Sequence, residues 1–335
     1  MMAKLKRHLI LVAFFALVPL TQPGTAPSNW ADAAGGPNTA KPGSTGFASK
    51  LGNVGETRTL EILPLVDWNT ASLKLRGEAG VSYLVRTDKS TILFDVGGNL
   101  ENSDPSPLVA NMLQLGIKLA DIDTIVISHN HPDHVGGQTS MFSRTFSLDS
   151  KPVDLRGKRV YVPIPMTYPD IEPVTVLEPM VIAPGVATIG PITGRINMGP
   201  VDEQALAIRV EGRGIVLIVG CGHQGLSNLL TRSTLLFEEP IYGVVGGLHY
   251  PIPQGRVIVA GVDIQRWATY GSDSGPTADD VQREIDLLAR TGPQWVSLSP
   301  HDSSDEMIEV FRAKFGPRYH DLRVGEAQLI AGVKP

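Results

Sequence analysis

Apolar and polar positions along the chain alternate with two different periods, which predict both strands and helices. Residues 81–87 and 90–98 have the pattern of two strands joined by a turn at Asp88 and Lys89. The run SPLVANMLQLGI, residues 106–117, has the apolar spacing of a helix, and DTIVIS, residues 123–128, that of a buried strand. Helices are also predicted over GLSNLLTRSTLLFEE, over TADDVQREIDLLAR with Thr277 as N-cap, and over SSDEMIEVFRAKFG with Gly316 as its end.

A second hairpin is predicted in LAIRVEGRGIVLIVG, residues 206–220, and residues 151–200 are rich in Pro and Gly with short β-like runs. Hairpins among helical crossovers exclude a purely parallel, doubly wound sheet. The pattern therefore favours an α/β fold made of two mixed β-sheets with helices outside.

The N-terminus has the pattern of an export signal. A basic start (Lys4, Lys6, Arg7) precedes an apolar stretch over residues 9–20, shorter than the roughly 20 apolar residues of a membrane span. Ala31-Asp32-Ala33 offers a small-x-small cleavage site. We expect residues 1–33 to be a signal peptide, with an uncleaved anchor as the alternative. If the signal peptide is cleaved, we expect the mature protein to be secreted or periplasmic, without stable membrane insertion.

Residues 34–57 are rich in Gly, Pro, Ser and Thr, which predicts a flexible linker before a single domain over residues 58–335. The net charge is -5, and no basic run follows the N-terminus. We therefore do not expect nucleic acid as a partner, and we expect a small-molecule substrate. Cys221 is the one cysteine of the chain, which excludes an internal disulfide. It is either a metal ligand or a small buried apolar residue.

Six of the 8 histidines follow apolar, strand-like runs: His129, His131, His134, His223, His249 and His301. Asp95 follows the run TILF in the same way. In α/β folds, sites form beyond the ends of strands, where loops from a common edge converge. We therefore expect these side chains to meet at one site.

The segment HNHPDH, residues 129–134, has the residue types and spacing of a metal site. His129 and His131 can reach one ion from an extended loop, and Asp133 and His134 can serve a second ion beside it. Imidazole and carboxylate bind zinc first, then iron or manganese. Two such ions can activate a hydroxide and polarise the bond that it attacks.

The segment SHNHPDHVGG resembles the His-x-His-x-Asp-His signature of the metallo-β-lactamase fold superfamily. TILFDVGG, VDEQALAIRVEGRGIVLIVGCGHQGLSN and VVGGLHY are similar to the branch that contains dihydropteroate-synthase-like enzymes of methanopterin biosynthesis. The resemblance implies an αββα sandwich with the metal site at one edge of the sheets. It also implies that His129 and His131 hold the first metal, that Asp133, His134 and His301 hold the second, and that Asp95 orients the ligand loop.

Two departures from the superfamily pattern stand out. Residues 135–222 contain no histidine, which leaves His223 as the substitute for a missing ligand. Cys221 takes the place where many members have a metal-bridging aspartate, and its spacing from His223 is expected to let only one of the two point inward comfortably. His249 is expected to contact the substrate or to act as a general acid, and Asp133 to accept a proton as the bond breaks.

The sequence thus predicts an exported, metal-dependent hydrolase that uses two divalent ions, most readily Zn²⁺, and an activated hydroxide. Phosphoesters and phosphodiesters are the first substrate class, and esters, lactones and lactams the next. A pterin-type transferase of the resembled branch is one alternative, although an export signal argues against it. A non-catalytic metal- or ligand-binding protein is the other, and an open ligand set argues against it.

Overall fold

The computed structural model describes residues 50–197, 199–269 and 276–334. The strands within them are β1 (Thr59–Val66), β2 (Ser82–Thr87), β3 (Thr91–Phe94), β4 (Thr124–Val126), β5 (Arg159–Val162), β6 (Val174–Thr175), β7 (Met180–Ala183), β8 (Val186–Thr188), β9 (Ile192–Ile196), β10 (Gly199–Glu203), β11 (Leu206–Val210), β12 (Gly214–Val219), β13 (Ile241–Gly246), β14 (Ile258–Val259), β15 (Val262–Asp263), β16 (Trp295–Leu298) and β17 (Gln328–Ala331).

These strands form a seven-stranded sheet with the order β17-β1-β2-β3-β4-β5-β6 and a six-stranded sheet with the order β16-β13-β12-β11-β8-β7. Two more strand pairs, β9–β10 and β14–β15, stand apart from both sheets.

The four helices that the sequence pattern predicts begin and end within three residues of their predicted bounds. In the longest helix, the side chain of Thr277 accepts from Asp280 N–H and the Asp280 side chain accepts from Thr277 N–H, which is a capping box. Ser304 caps the next helix, which ends at Gly316. The helices are α1 (Pro107–Gln114), α2 (Gln138–Ser143), α3 (Leu226–Leu236), α4 (Ile264–Trp267), α5 (Ala278–Arg290) and α6 (Asp305–Phe315), with 3₁₀ turns at Leu119–Asp121 and Gly316–Arg318.

Buried side chains of the two sheets pack face to face in the centre of the domain. Tyr83 and Phe94 of the first sheet share one apolar cluster with Leu206 and Ile218 of the second. A separate cluster joins the outer face of the second sheet to α3, α5 and α6, and a third joins the outer face of the first sheet to α1. The layers are therefore helix, sheet, sheet, helix, and the expected αββα sandwich of two mixed sheets is confirmed.

The ordered domain begins earlier than the sequence pattern indicates. Val54 is 4% exposed and packs in the core beside α3, and Leu51 N–H donates to Leu236 O. Thr57 pairs with Val210 as a β-bridge. Residues 50–57, assigned to the linker from their composition, are thus part of the folded domain because their apolar side chains are buried. These few apolar residues are hard to recognise in the sequence because they lie in a segment rich in Gly and Ser.

The predicted signal peptide, residues 1–33, and residues 34–49 of the predicted linker lie outside the described residues. Among the residues that are described, no helix combines the length and the apolar composition that a membrane crossing requires.

Polar residues follow the carboxyl ends of neighbouring strands and so meet at one edge of the sandwich. β3 and β4 are parallel neighbours in the first sheet, and β12, β13 and β16 are parallel neighbours in the second. Parallel strands end at the same edge, so their following loops converge. The loops after β4, β12, β13 and β16 carry the histidines that the sequence singled out.

Candidate metal centre

The loop after β4 places three histidine rings against one another. His129 Nε2 lies 3.1 Å from His131 Nδ1, and the rings of His129 and His134 have centroids 4.2 Å apart. The loop turns back at Gly136, where an added Cβ would lie 2.1 Å from Ser147 O and where φ is +82°. Only glycine fits that contact and that backbone conformation.

The loop after β12 adds Cys221 and His223, and the loop after β16 adds His301. His223 Nε2 lies 3.1 Å from His131 Nδ1. Cys221 Sγ lies 3.1 Å from His134 Nε2 and 3.3 Å from His301 Nε2. Ligand atoms of Asp133, His134, Cys221 and His301 lie within 4.8 Å of one another, and so do those of His129, Cys221 and His223.

Cys221 and His223 both point into the centre, so the expectation that only one of them would do so is wrong. Both belong to one set of mutually close ligand atoms. The residue between them, Gly222, has φ +72°, a conformation that side chains other than glycine rarely adopt. This left-handed residue turns the chain so that both neighbours face the same point.

Hydrogen bonds fix the tautomers of three histidines so that Nε2 faces the centre. His134 Nδ1–H donates to Asp95 Oδ2 at 2.8 Å. His129 Nδ1 lies 2.9 Å from Ser128 Oγ, which in turn donates to Asp95 Oδ2 at 2.7 Å. An acceptor on Nδ1 leaves the lone pair on Nε2, which is the form that binds metal. Asp95 thus contacts the ligand loop as an orienting acceptor, the position that the resemblance implies for it.

The third ring, that of His301, is held by residues that sequence reasoning missed. His301 Nδ1 lies 2.7 Å from Ser299 Oγ, and Ser299 Oγ donates to Asp67 Oδ2 at 2.7 Å. Asp67 follows β1 directly, as Asp95 follows β3. The rule that found Asp95, a carboxylate at the end of an apolar strand, would also have found Asp67.

Burial keeps most of these rings uncharged. It lowers the pKa of His131 to about 4 and the pKa of His129, His223 and His301 well below the ordinary value. Burial also raises the pKa of the Cys221 thiol, so its thiolate form needs a cation beside it. Neutral imidazoles and a buried thiol that converge on common points are what a metal ion requires.

The distances fit metal ions as well. Tetrahedral zinc, with Zn–N bonds of about 2.0–2.1 Å, separates its nitrogen ligands by about 3.3 Å. The nitrogen pairs around His131 are separated by 3.1 Å. His131 Nδ1 faces two ring nitrogens at once and can donate to only one of them, so a shared cation satisfies the three better than hydrogen bonds do.

His249 lies beside this centre but is enclosed. Its ring centroid is 4.7 Å from that of His223, and its Nε2–H donates to Gln265 O at 2.9 Å. Its Nδ1 is buried without a hydrogen-bond partner among the described residues, near Cys221 and Asp302. The next residue, Tyr250, is buried in the core, where its hydroxyl donates to Glu284, so it does not face a substrate.

Comparison with known proteins shows which family this chain resembles. The model of the metallo-β-lactamase superfamily matches residues 75–231, which include the loops after β4 and β12. This match covers just under half of the chain, so the chain is similar to that superfamily over this segment and shares its fold. The chain is an enzyme, as the sequence predicts, and its similarity to this superfamily supports the metallo-hydrolase class.

Two relatives illustrate the breadth of this superfamily. The chain is 26% identical over 245 residues, 59% of its length and 80% of the relative's, to 7,8-dihydropterin-6-methyl-4-(beta-D-ribofuranosyl)-aminobenzene-5'-phosphate synthase of Methanocaldococcus jannaschii. It also resembles the crystal structure of a metal-dependent hydrolase of the beta-lactamase superfamily, with a TM-score of 0.57, 21% identity, and coverage of 81% of this chain and 99% of the other. The superfamily binds divalent metals, and this centre offers the ligands for them.

Proposed function

We propose that the protein is an exported hydrolase of phosphoester or other ester bonds that depends on two divalent metal ions. His129, His131 and His223 would hold the first ion, and Asp133, His134 and His301 the second. The observation that carries the proposal is the position of Cys221, whose Sγ lies within 4.8 Å of ligand atoms in both sets. A thiolate there would be shared between the two ions.

Two ions held in this way would lower the pKa of a water between them and polarise the bond under attack. The donor set of imidazole, carboxylate and thiolate suits zinc first and then iron, with manganese the poorest match because of the sulfur. Residues of the chain orient these ligands: Asp95 orients the ring of His134, and the Ser299–Asp67 pair orients the ring of His301.

Asp133 and His249 are the groups that would handle protons. The Asp133 side chain is 24% exposed, whereas that of His134 beside it is fully buried, so Asp133 borders the side open to solvent. It can take a proton as the bond breaks. His249 has its Nε2–H fixed on Gln265 O, so its Nδ1 carries the lone pair and can accept or return a proton.

A second candidate function, a pterin-type transferase, is supported by the relative from Methanocaldococcus jannaschii, which is named as the synthase of a compound that contains a dihydropterin and an aminobenzene group. Export would separate the chain from cytoplasmic pterins. Fractionation of cells that carry the full-length chain therefore distinguishes the two. Protein in the periplasm or medium with a mature start near residue 34 supports the exported hydrolase, and cytoplasmic protein supports the transferase.

The deciding experiment is metal analysis of the purified protein from residue 34 onward, with turnover of bis-p-nitrophenyl phosphate and of a lactone panel. We expect about two equivalents of a transition metal. His131→Ala should lose metal and abolish turnover, while His320→Ala should keep both, because His320 stacks on Trp295 outside the centre. Wild-type turnover by His131→Ala would refute the mechanism, and tight metal without turnover would favour a binding protein.

A further inference from the structure

Glu203, at the end of β10, holds the loop that carries Cys221 and His223. Its side chain is fully buried. Oε1 accepts from Cys221 N–H and Gly222 N–H, each at 2.9 Å, and Oε2 accepts from His223 N–H at 2.7 Å. All three neighbours are donors, so both oxygens act as acceptors, and the contacts fit the carboxylate rather than the acid.

The next residue, Gln204, holds the other ligand loop. Its backbone N–H donates to Ser128 O at 3.0 Å, and its Nε2 donates to Ile127 O at 2.8 Å. Its Oε1 accepts from Thr188 Oγ1 at 2.6 Å. Two consecutive buried residues thus fasten the loop after β4 and the loop after β12, which belong to different sheets.

The two loops touch where this fastening occurs. A Cβ added at Gly220 would lie 2.3 Å from Ser128 Oγ and 3.1 Å from Glu203 Oε1. Gly194 lies in β9, the strand that pairs with β10, and a Cβ added there would lie 2.1 Å from His223 O. The loop after β12 therefore lies against β9 through His223 O and against β10 through three amide N–H groups.

We propose that Glu203 is a positioning residue that sets the spacing of the two ligand loops. It acts on the ion site formed by His129 and His131 from one loop and His223 from the other. This inference rests on the proposed function, since it assumes that the centre binds metal. Among the described residues Glu203 makes no hydrogen bond with Asp133, His134 or His301, and it reaches their site only through the backbone of the shared Cys221, whereas it holds both Cys221 and His223 of the first site. Its loss should therefore weaken one ion site more than the other.

Glu203→Gln tests the inference with little change in shape. Whichever oxygen is replaced, the new NH₂ group faces a backbone N–H, donor against donor. We expect metal-free Glu203→Gln to keep the wild-type circular dichroism, and one of its two cobalt(II) ions to bind about 10–100-fold more weakly. The matched control is Asp202→Asn, which removes the same charge from the preceding residue, whose side chain accepts from Thr193 Oγ1 at the surface. It should load both ions normally.

Cobalt titration with visible spectra separates the outcomes. Wild-type affinity of Glu203→Gln for both ions would overturn the inference, even if its unfolding temperature falls, because a purely structural role lowers stability without selecting an ion. If Glu203→Gln does not fold, Glu203→Asp keeps the charge on a shorter side chain. It should show a smaller loss at the same ion, and unchanged binding would again overturn the inference. A wild-type protein that takes up no cobalt would instead refute the proposed function.

Discussion

The Sγ atom of Cys221 lies 3.1 Å from the Nε2 atom of His134, deep in the centre, where no second thiol can pair with it. Both atoms are lone-pair donors, and the Nδ1–H of His134 is already committed to Asp95. A hydrogen bond from the thiol to the ring would satisfy this one contact. It would leave His301 Nε2, 3.3 Å from the same sulfur, without a proton to share. A metal ion that the sulfur shares with both rings satisfies all three groups.

Substitution of Cys221 tests that arrangement. Cys221→Ser replaces a thiolate with a hydroxyl that does not ionise readily. We expect it to abolish the thiolate–cobalt charge-transfer band and to weaken metal binding by more than the roughly 10–100-fold that loss of an outer contact costs. Cys221→Asp restores an anionic ligand and should recover more phosphodiester turnover than serine does. Unchanged metal content and turnover in Cys221→Ser would show that the thiol is only a small buried apolar residue.

Ser299 should matter for metal binding although it is not a ligand. Its hydroxyl joins Asp67 to His301 Nδ1, and Ser299→Ala leaves the ring without that acceptor. We expect one of the two ions to bind about 10–100-fold more weakly, measured by chelator competition. Ser297→Ala, two residues earlier in β16, is the control, because its hydroxyl donates to Gln328 instead. Equal effects of the two variants would mean that the loss is one of general stability.

Gly220 should not tolerate a side chain. The Cβ of Gly220→Ala would lie 2.3 Å from Ser128 Oγ, so Ser128 must move and release His129 Nδ1. Overpacking of this kind costs about 1–3 kcal/mol in the free energy of unfolding. We expect that loss in urea unfolding, together with reduced metal content. Gly52→Ala is the control, because no atom lies within 4 Å of its added Cβ. A Gly220→Ala protein as stable and as metal-rich as wild type would show that the two loops have room to separate.

Local patterns in the sequence predict much of this structure, and distant contacts account for what they miss. The hairpin of β2 and β3, the cap at Thr277 and the histidines after strands each depend on a few neighbouring residues. The contacts of Glu203 and Ser299 instead join residues 18 to 20 and 232 positions apart in the chain. The side chains of Cys221 and His223 both point into the centre because of the φ angle of Gly222, which residue spacing alone does not define.

The pairing of Asp88 with Thr57 and Arg58 makes stability depend on pH. The Asp88 carboxylate accepts from the Thr57 hydroxyl, from Arg58 N–H at 2.8 Å and from Arg58 Nε at 3.0 Å. The hydrogen bond from Thr57 is the largest cause that holds the pKa of Asp88 well below its ordinary value of 3.8. The folded state therefore binds this proton less readily than the unfolded state does. The resulting stability is present above pH 3.8 and is lost as the pH falls towards the lowered pKa.

Asp88→Asn removes that contribution at every pH. At pH 7 we expect the variant to be less stable than wild type by about 1 kcal/mol, the scale of a partly exposed hydrogen-bonded charge. The difference should shrink as the pH falls below 3.8, because Asp88 of the unfolded wild-type chain then takes up a proton that the folded state binds less readily. Urea unfolding of both proteins with metal removed by chelator, at pH 7 and near pH 3, measures it without interference from metal release. A difference that stays constant or grows towards acid would mean that Asp88 stabilises the fold by packing rather than by its charge.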